Sequence, residues 1–360
     1  MLRRLAKALQ RFLGEDEAPE TYGFRSADAF ATALEIERHR ADRDNGGFSL
    51  LTITPAKGKS AQASYSCLAS ILQKRLRLTD MAGWLDDRRI GVIFPNTPAE
   101  GAWRVADDVC GQFPDNLPAP ECSVLLYPSD VRIEGTDLKS GDRNDSLDEK
   151  PVEAMEVMFM SHLPPWKRFV DIVGSAAGLI VLSPLFLITA IAVKCTSPGP
   201  VFFGQDRTGL GGRRFRIYKF RSMVVDAESL KHTLADRNVQ DGPAFKVEND
   251  PRITKLGRFL RKTAIDELPQ LWNVLRGDMS LVGPRPLPCH ESSGCDQWQR
   301  RRLDVTPGLT CIWQVFGGTK VTFAEWMRMD LRYAQKRSLW KDLGLMVLTI
   351  PSIIRRRTVY

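Results

Sequence analysis

From Ile172 to Val193 the chain runs 22 residues without a charge, long enough for a bilayer-crossing helix of roughly 20 residues. Ser183-Pro184 falls in its middle, where proline removes a backbone donor and clashes with the preceding turn, so a break is predicted there. Lys167 and Arg168 stand before the stretch and Lys194, Arg207, Arg213 and Arg214 after it; positive charge on both flanks fits both ends lying on one side of a membrane. Three arrangements follow: a helix-break-helix that dips into one leaflet and returns, a kinked spanning helix, or a buried helix of a soluble core. Leu343 to Ile354, interrupted by Pro351 and followed by Arg355, Arg356 and Arg357, reads either as a second surface-lying segment or as a C-terminal core helix. Leu2, Leu5, Leu9, Phe12 and Leu13 share one helical face, with Arg3, Arg4, Lys7 and Arg11 elsewhere, the pattern of a membrane-surface or docking helix over 1–21.

Val201 to Gln205 and Arg213 to Ser222, separated by Gly209, Gly211 and Gly212, read as a hairpin. Period-2 alternation in its second strand sets Lys219 and Arg221 on one face with Phe215 and Ile217. Two cations there call for an anion, or mark an exposed edge. In Arg252 to Lys262, Ile253, Leu256, Gly257 and Leu260 follow helical spacing beside Lys255, Arg258 and Arg261, a basic amphipathic helix suited to phosphate head groups or simply to water. Upstream, Phe30–Arg40, Phe48–Ile53, Leu68–Leu76, Arg89–Phe94 and Ala99–Gln112 alternate as βαβ units do. A polar run around Gly141 to Lys150 then marks a linker, 129–163, between domains at 22–128 and 164–358.

Charge supports that division. Residues 1–150 carry 20 Lys/Arg against 24 Asp/Glu, which leaves 31 against 19 for the rest, so only the second half is biased toward phosphate or anionic lipid. No nucleic-acid partner is expected. The seven cysteines have no CxxC spacing, which fits reduced thiols better than a disulfide framework. Cys289, His290 and Cys295 lack a fourth ligand nearby, which argues against zinc. The first thirteen residues interleave basic and apolar positions and so do not read as an export signal.

The candidate chemistry centres on Asp266 and Glu267, just ahead of Pro269 and the apolar Leu271, Trp272, Val274 and Leu275. A carboxylate at a helix start is often only a cap. The helix dipole would also keep it ionised, as a nucleophile requires, and adjacent side chains diverge, so one could attack while the other holds a divalent cation. Arg285, fixed between Pro284 and Pro286, suits bidentate phosphate recognition or a stiff surface turn.

The runs Trp166–Ile172, Leu182–Leu185, Tyr218–Met223, Asn249–Thr254, Asp266–Pro286, Thr306–Thr310 and Trp313–Val315 together resemble the bacterial sugar transferase family, monotopic phosphoglycosyl transferases that act on polyprenyl phosphate. The resemblance implies a mostly α catalytic domain at the cytoplasmic face of a bacterial inner membrane, with a re-entrant helix at about 167–194 broken at Ser183-Pro184 and a small β-hairpin. It implies transfer of a hexose-1-phosphate from a UDP-sugar to undecaprenyl phosphate with release of UMP, at the start of exopolysaccharide or capsule synthesis. Carried over by position, Asp266 is the nucleophile, Glu267 its partner at magnesium (Mg2+), and Lys219, Arg221, Arg261 and Arg285 are phosphate contacts. The chain departs from the family after Val315, where Phe316-Gly317-Gly318 stands for Asn-Gly-Arg, and at Cys311, where a glycine is usual.

The order of elements over 22–128 resembles the GGDEF domain of diguanylate cyclases, implying an α/β fold. At the position of that family's signature stands Asp86-Asp87-Arg88-Arg89-Ile90, without its glycines, and Leu51 to Pro55 lacks the first metal aspartate. Without carboxylates for two metals, GTP polymerisation is not expected. Arg77-Leu-Thr-Asp80, with five residues between it and Asp86, has the spacing of an RxxD site for cyclic di-GMP. A surface turn explains it equally well, and pairing into a homodimer or a structural role is the plainer expectation for the domain. A membrane-anchored cyclic di-GMP receptor with a decayed transferase half is the alternative for the chain; the intact Asp266-Glu267 and Gly283–Pro286 runs oppose it.

Overall fold

The computed structural model describes residues 21–56, 61–129, 150–316 and 321–355. The amphipathic segment 1–20, most of the polar linker run, Gly317-Gly318 and Arg356-Arg357 lie outside the described residues. Two compact units divide the chain, one ending at Glu156 and the next running from Val157.

In the first unit Ser26 caps helix α1 (Ala27–Asp44), its hydroxyl accepting from the Ala29 N–H at 3.3 Å. Strand β1 (Phe48–Thr54), helix α2 (Ala61–Arg75), the hairpin β2 (Met81–Trp84) and β3 (Ile90–Pro95), helix α3 (Ala99–Gly111) and β4 (Glu121–Tyr127) follow. With a fifth strand β5 (Val152–Ala154), the sheet order is β2-β3-β1-β4-β5, with β1 antiparallel to both β3 and β4 and β2 antiparallel to β3. Each crossover, β1–α2–β2 and β3–α3–β4, therefore joins two parallel strands with a third between them; the expected βαβ alternation takes its split form. Leu51, Ile53, Ile90 and Val92 meet α2 and α3 on one face. On the other, Phe30 of α1 lies across the paired Gly83 and Gly91, where a Cβ would stand 2.5 Å from its ring, so both positions require glycine. The fifth strand, Val152–Ala154, pairs in parallel with β4. It lies inside the stretch read as linker; its short apolar alternation was hidden by the charges before it.

The second unit begins with helices α4 (Pro165–Val181) and α5 (Ser183–Thr196), bent by 60° at Leu182. Among the described residues no single helix is long and apolar enough to cross a membrane; this bent pair passes that test only together. Pro184 cannot donate to the Ile180 carbonyl, and the Ser183 hydroxyl donates there instead at 2.8 Å, which is why the break falls at this dipeptide. The pair is apolar outside and polar inside. Phe169, Ile180, Val181, Leu187 and Ile188 are 63–74% exposed, whereas Lys167, Asp171, Ser175 and Thr189 are buried.

The hairpin β6 (Phe202–Thr208) and β7 (Arg214–Phe220) follows. Ile217 packs with Val274 and Met279, and Phe220 with Val193 and Leu260, so both faces of β7 are covered rather than one lying at an exposed edge. Helix α6 (Lys255–Lys262) is capped by Thr254, which accepts from the Gly257 N–H at 2.9 Å, and it presses Gly257 onto the Ser222 backbone. Helix α7 (Gln270–Arg276), the short parallel pair β8 (Ser280–Val282) and β9 (Gly308–Thr310), helix α8 (Phe323–Gln335) and helix α9 (Leu339–Arg355) follow, with short helical turns between β8 and β9 and before α8. Pro351 lies within α9, whose Trp340, Val347 and Ile350 are exposed while Leu345 is buried.

Candidate active site

Asp266 and Glu267 lie in a 3-10 turn, Ile265–Glu267, between α6 and α7. Ala264 enters it with φ of 55°, left-handed for a residue other than glycine, a strained conformation of the kind that collects at functional sites. The turn is fixed from three sides. Arg168, read in the sequence as a flank charge, donates to the Val274 and Leu275 carbonyls at 2.7 Å each and so holds the end of α7. The fully buried Asn273 acts as a peptide group toward β7, donating to the Arg216 carbonyl at 2.8 Å and accepting from the Tyr218 N–H at 3.2 Å. That sets the register of Lys219 against the acidic pair. Arg302, in a buried ion pair with Asp330 at 2.8 Å, donates to the Arg285 carbonyl.

Lys219 Nζ reaches Glu267 Oε1 at 2.8 Å, and Arg285 grips both Glu267 oxygens, Nη1 to Oε2 at 3.1 Å. Burial opposes the Glu267 charge, but Arg285 and Lys219 outweigh it and hold this carboxyl well below the usual range. Burial, joined by the Glu267 charge, pushes Asp266 up to about 6 against the pull of Lys219, Arg261 and Arg285. The sequence led us to expect a helix dipole keeping the acid ionised. Instead Asp266 is 5% exposed in a turn ahead of a seven-residue helix, and desolvation dominates. Two adjacent carboxyls thus have separate characters, Glu267 held toward its charged form and Asp266 raised to about 6.

Of the predicted contacts, Lys219, Arg261 and Arg285 gather around the pair; Arg261 also donates from Nε to Ser222 Oγ at 2.9 Å. Arg221 turns elsewhere. Its Nη2 donates to the Ser197 carbonyl and hydroxyl at 2.8 Å each, while Nε and Nη1 are enclosed without partners. Among the described residues no three His, Cys, Asp or Glu side chains form a metal-binding group. The acidic pair fits a cation that takes one or two carboxylates and completes its shell from phosphate oxygens: Glu267 uses three of its roughly four acceptor positions on Arg285 and Lys219, and Asp266 accepts no side-chain hydrogen bond among the described residues.

In the first unit, Asp80 accepts from the Arg77 N–H at 2.9 Å and returns its own N–H to the Arg77 carbonyl at 3.0 Å, a closed surface turn. Asp86 likewise closes the β2–β3 turn, accepting from the Arg88 and Arg89 N–H groups at 2.9 Å each and from Arg89 Nε at 2.7 Å.

The family model described as bacterial sugar transferase matches residues 162–356. A galactosyl transferase of Streptococcus agalactiae, CpsE, is 45% identical over 204 residues, which cover 56% of this chain and 44% of that one. A UDP-glucose:undecaprenyl-phosphate glucose-1-phosphate transferase of Caulobacter vibrioides is 42% identical over 54% of this chain and 72% of its own length. The chain spans less than half the length of the first curated relatives it matches. Among solved structures, a DGC protein from Thermotoga maritima aligns with 30% of this chain and 84% of its own at 18% identity and a TM-score of 0.27.

Proposed function

The chain belongs to the bacterial sugar transferase family, and from that membership we propose that it moves a hexose-1-phosphate from a UDP-sugar to a polyprenyl phosphate, such as undecaprenyl phosphate, in two displacements at Asp266. In the first, a carboxylate oxygen of Asp266 bonds to the β-phosphorus and the bond to the bridging oxygen breaks, releasing UMP. In the second, an oxygen of the lipid phosphate attacks the same phosphorus and frees the carboxylate. Both reactants are anions, so the positive groups must lower their repulsion. Lys219 and Arg285, held on Glu267, face the transferring phosphate, and Arg261 draws Asp266 toward its charged form. Magnesium held by Asp266 and Glu267 would supply further charge neutralisation on the diphosphate.

The observation that carries this reading is the pair of unlike carboxyls enclosed by three cations. A nucleophile near pH 6 is charged at neutrality, yet little solvated, and so remains reactive. The outward apolar faces of α4 and α5 support a re-entrant hairpin seated in a membrane, since contiguous exposed apolar patches mark membrane or partner contacts, and the family membership makes the cytoplasmic leaflet of a bacterial inner membrane its proposed place. Relatives named for galactose and glucose transfer make those two UDP-sugars the first donors to test. With magnesium and undecaprenyl phosphate in vesicles, the protein is expected to remain in the vesicle fraction and release UMP from at least one donor. Release from none across a panel of UDP-sugars overturns the reading.

The pH dependence has a definite sign. The attacking form of Asp266 is the ionised one, so single-turnover UMP release is expected to climb as pH passes about 6 and to level off one to two units higher. A rate that is flat between pH 5 and 8 removes Asp266 as the group that must ionise.

A further inference from the structure

Strand β8 has β9 along one side only. The Ser280 N–H donates to the Pro307 carbonyl at 2.8 Å on that side, so the Leu281 N–H faces the other way, where helix α4 supplies its partner. Asp171 Oδ1 accepts from the Leu281 N–H at 2.8 Å and from the Ser280 hydroxyl at 3.0 Å, while Oδ2 is enclosed without a partner. Asp171 is 1% exposed and Ser280 fully buried. Three residues on, Gly174 lies against Leu281, where a Cβ would stand 2.7 Å from that side chain. A carboxylate of α4 thus takes the place of a strand neighbour at the open edge of β8.

Little slack separates that edge from Arg285. The Val282 carbonyl accepts from the Tyr333 hydroxyl at 3.0 Å, a Cβ on Gly283 would stand 2.6 Å from the Thr306 carbonyl oxygen, and the Pro284 carbonyl accepts from the Gly308 N–H at 2.8 Å. Arg285 comes next, with its guanidinium on Glu267. The other half of that ion pair is held from the same helix. Arg168, three residues before Asp171, fixes the end of α7, which follows the turn carrying Glu267. One turn of α4 therefore holds both segments that meet at Glu267 and Arg285.

We propose that Asp171 is a positioning residue for sugar-phosphate transfer: through the Ser280–Leu281 edge it sets the Arg285 guanidinium against Glu267 and the transferring phosphate. This deepens the reaction proposed above and rests on it.

Asp171→Asn keeps an oxygen that accepts from Leu281 and Ser280, and Asp171→Ala removes it. On the full chain in vesicles, Asp171→Ala is expected to lower kcat/KM for UDP-sugar by roughly ten- to a hundredfold, the scale of a misplacement of about 1 Å, and Asp171→Asn to restore most of it. In an Arg285→Ala background, Asp171→Ala should add less than about a twofold loss, because residues that act through one group are not additive. Losses that multiply, or no rescue by asparagine, overturn the proposal. Arg285 is also read without substrate, by peptide mapping after phenylglyoxal, which modifies accessible guanidinium groups. Its modification should quicken severalfold in Asp171→Ala and keep the wild-type rate in Asp171→Asn; equal rates in all three proteins overturn the proposal. Should Asp171→Ala fail to fold, Ser280→Ala removes only the hydroxyl and is expected to show the same pattern with a smaller loss; wild-type kcat/KM and wild-type Arg285 reactivity in that variant overturn the proposal. A wild type that releases no UMP from any donor, while Arg285 reactivity responds to Asp171 as expected, defeats the transferase reading and leaves the positioning of Arg285 standing.

Discussion

Asp266→Asn is expected to lower UMP release by a factor on the order of ten thousand or more, the scale seen when a covalent nucleophile is removed, and to leave no sugar-phosphate adduct on the protein by intact mass. Asparagine matches the shape of aspartate but cannot form the acyl phosphate. The variant should also be the more stable protein at pH 8. The Asp266 carboxyl is raised to about 6 in the folded chain from an ordinary value of 3.8, so the folded state binds its proton more tightly than the unfolded state does. Ionisation therefore removes stability as pH rises from about 4 through about 6, on the order of 2–3 kcal/mol in full. Asparagine has no such loss. Thermal denaturation at pH 5 and pH 8 checks the sign: the gap between variant and wild type should widen at the higher pH, and a gap that narrows means the buried charge is compensated in some other way. Unchanged turnover in Asp266→Asn rejects the nucleophile outright. Glu267→Gln differs in kind, because it strips the partner from Lys219 and Arg285 and leaves two cations facing each other.

What the sequence disclosed follows from how local each signal is. Asp266 and Glu267 are neighbours in the chain, and Arg285 is announced by the prolines beside it, so these residues could be found without coordinates. The break at Ser183-Pro184 is equally local, being one missing donor and one hydroxyl beside it. Period-2 alternation grouped Lys219 with Arg221, but β7 ends at Phe220; past that point the chain leaves the strand, and Arg221 goes to Ser197. Arg168 and Arg207 were visible only as charges flanking an apolar stretch. One holds the end of α7 across 106 residues and the other the Pro286 loop across 79, and such long-range pairings leave no periodic trace. Asn273 had a faint signal, as a polar residue within the apolar run Leu271 to Leu275. Composition could tell that it was buried but not that its amide would replace a strand neighbour.

The buried pair Lys167–Asp342 should govern how firmly the bent helices are joined to this site. Lys167 opens α4 at 3% exposure and Asp342 lies in α9 at 2%; Tyr333 donates to Asp342 at 2.9 Å and is also placed against the Val282 carbonyl at 3.0 Å, three residues before Arg285. Lys167→Met leaves an enclosed carboxylate without its cation, and Asp342→Leu leaves an enclosed ammonium. Each is expected to destabilise the protein by about 3–5 kcal/mol, because removing one member of a buried pair exposes the full desolvation penalty of the other. The double variant should recover most of that loss, since two apolar side chains of similar volume need no counter-charge. Denaturation of all four proteins in the same detergent completes the cycle, and a coupling energy near zero would mean that the two charges are separately solvated. UMP release measured on the double variant then separates two roles. If the pair only anchors α4, activity returns with stability; if it also sets the Val282–Arg285 segment through Tyr333, stability returns while the KM for donor stays high. The second outcome is the one expected, because Tyr333 keeps its Val282 acceptor in the double variant but loses the carboxylate that fixes the direction of its hydroxyl.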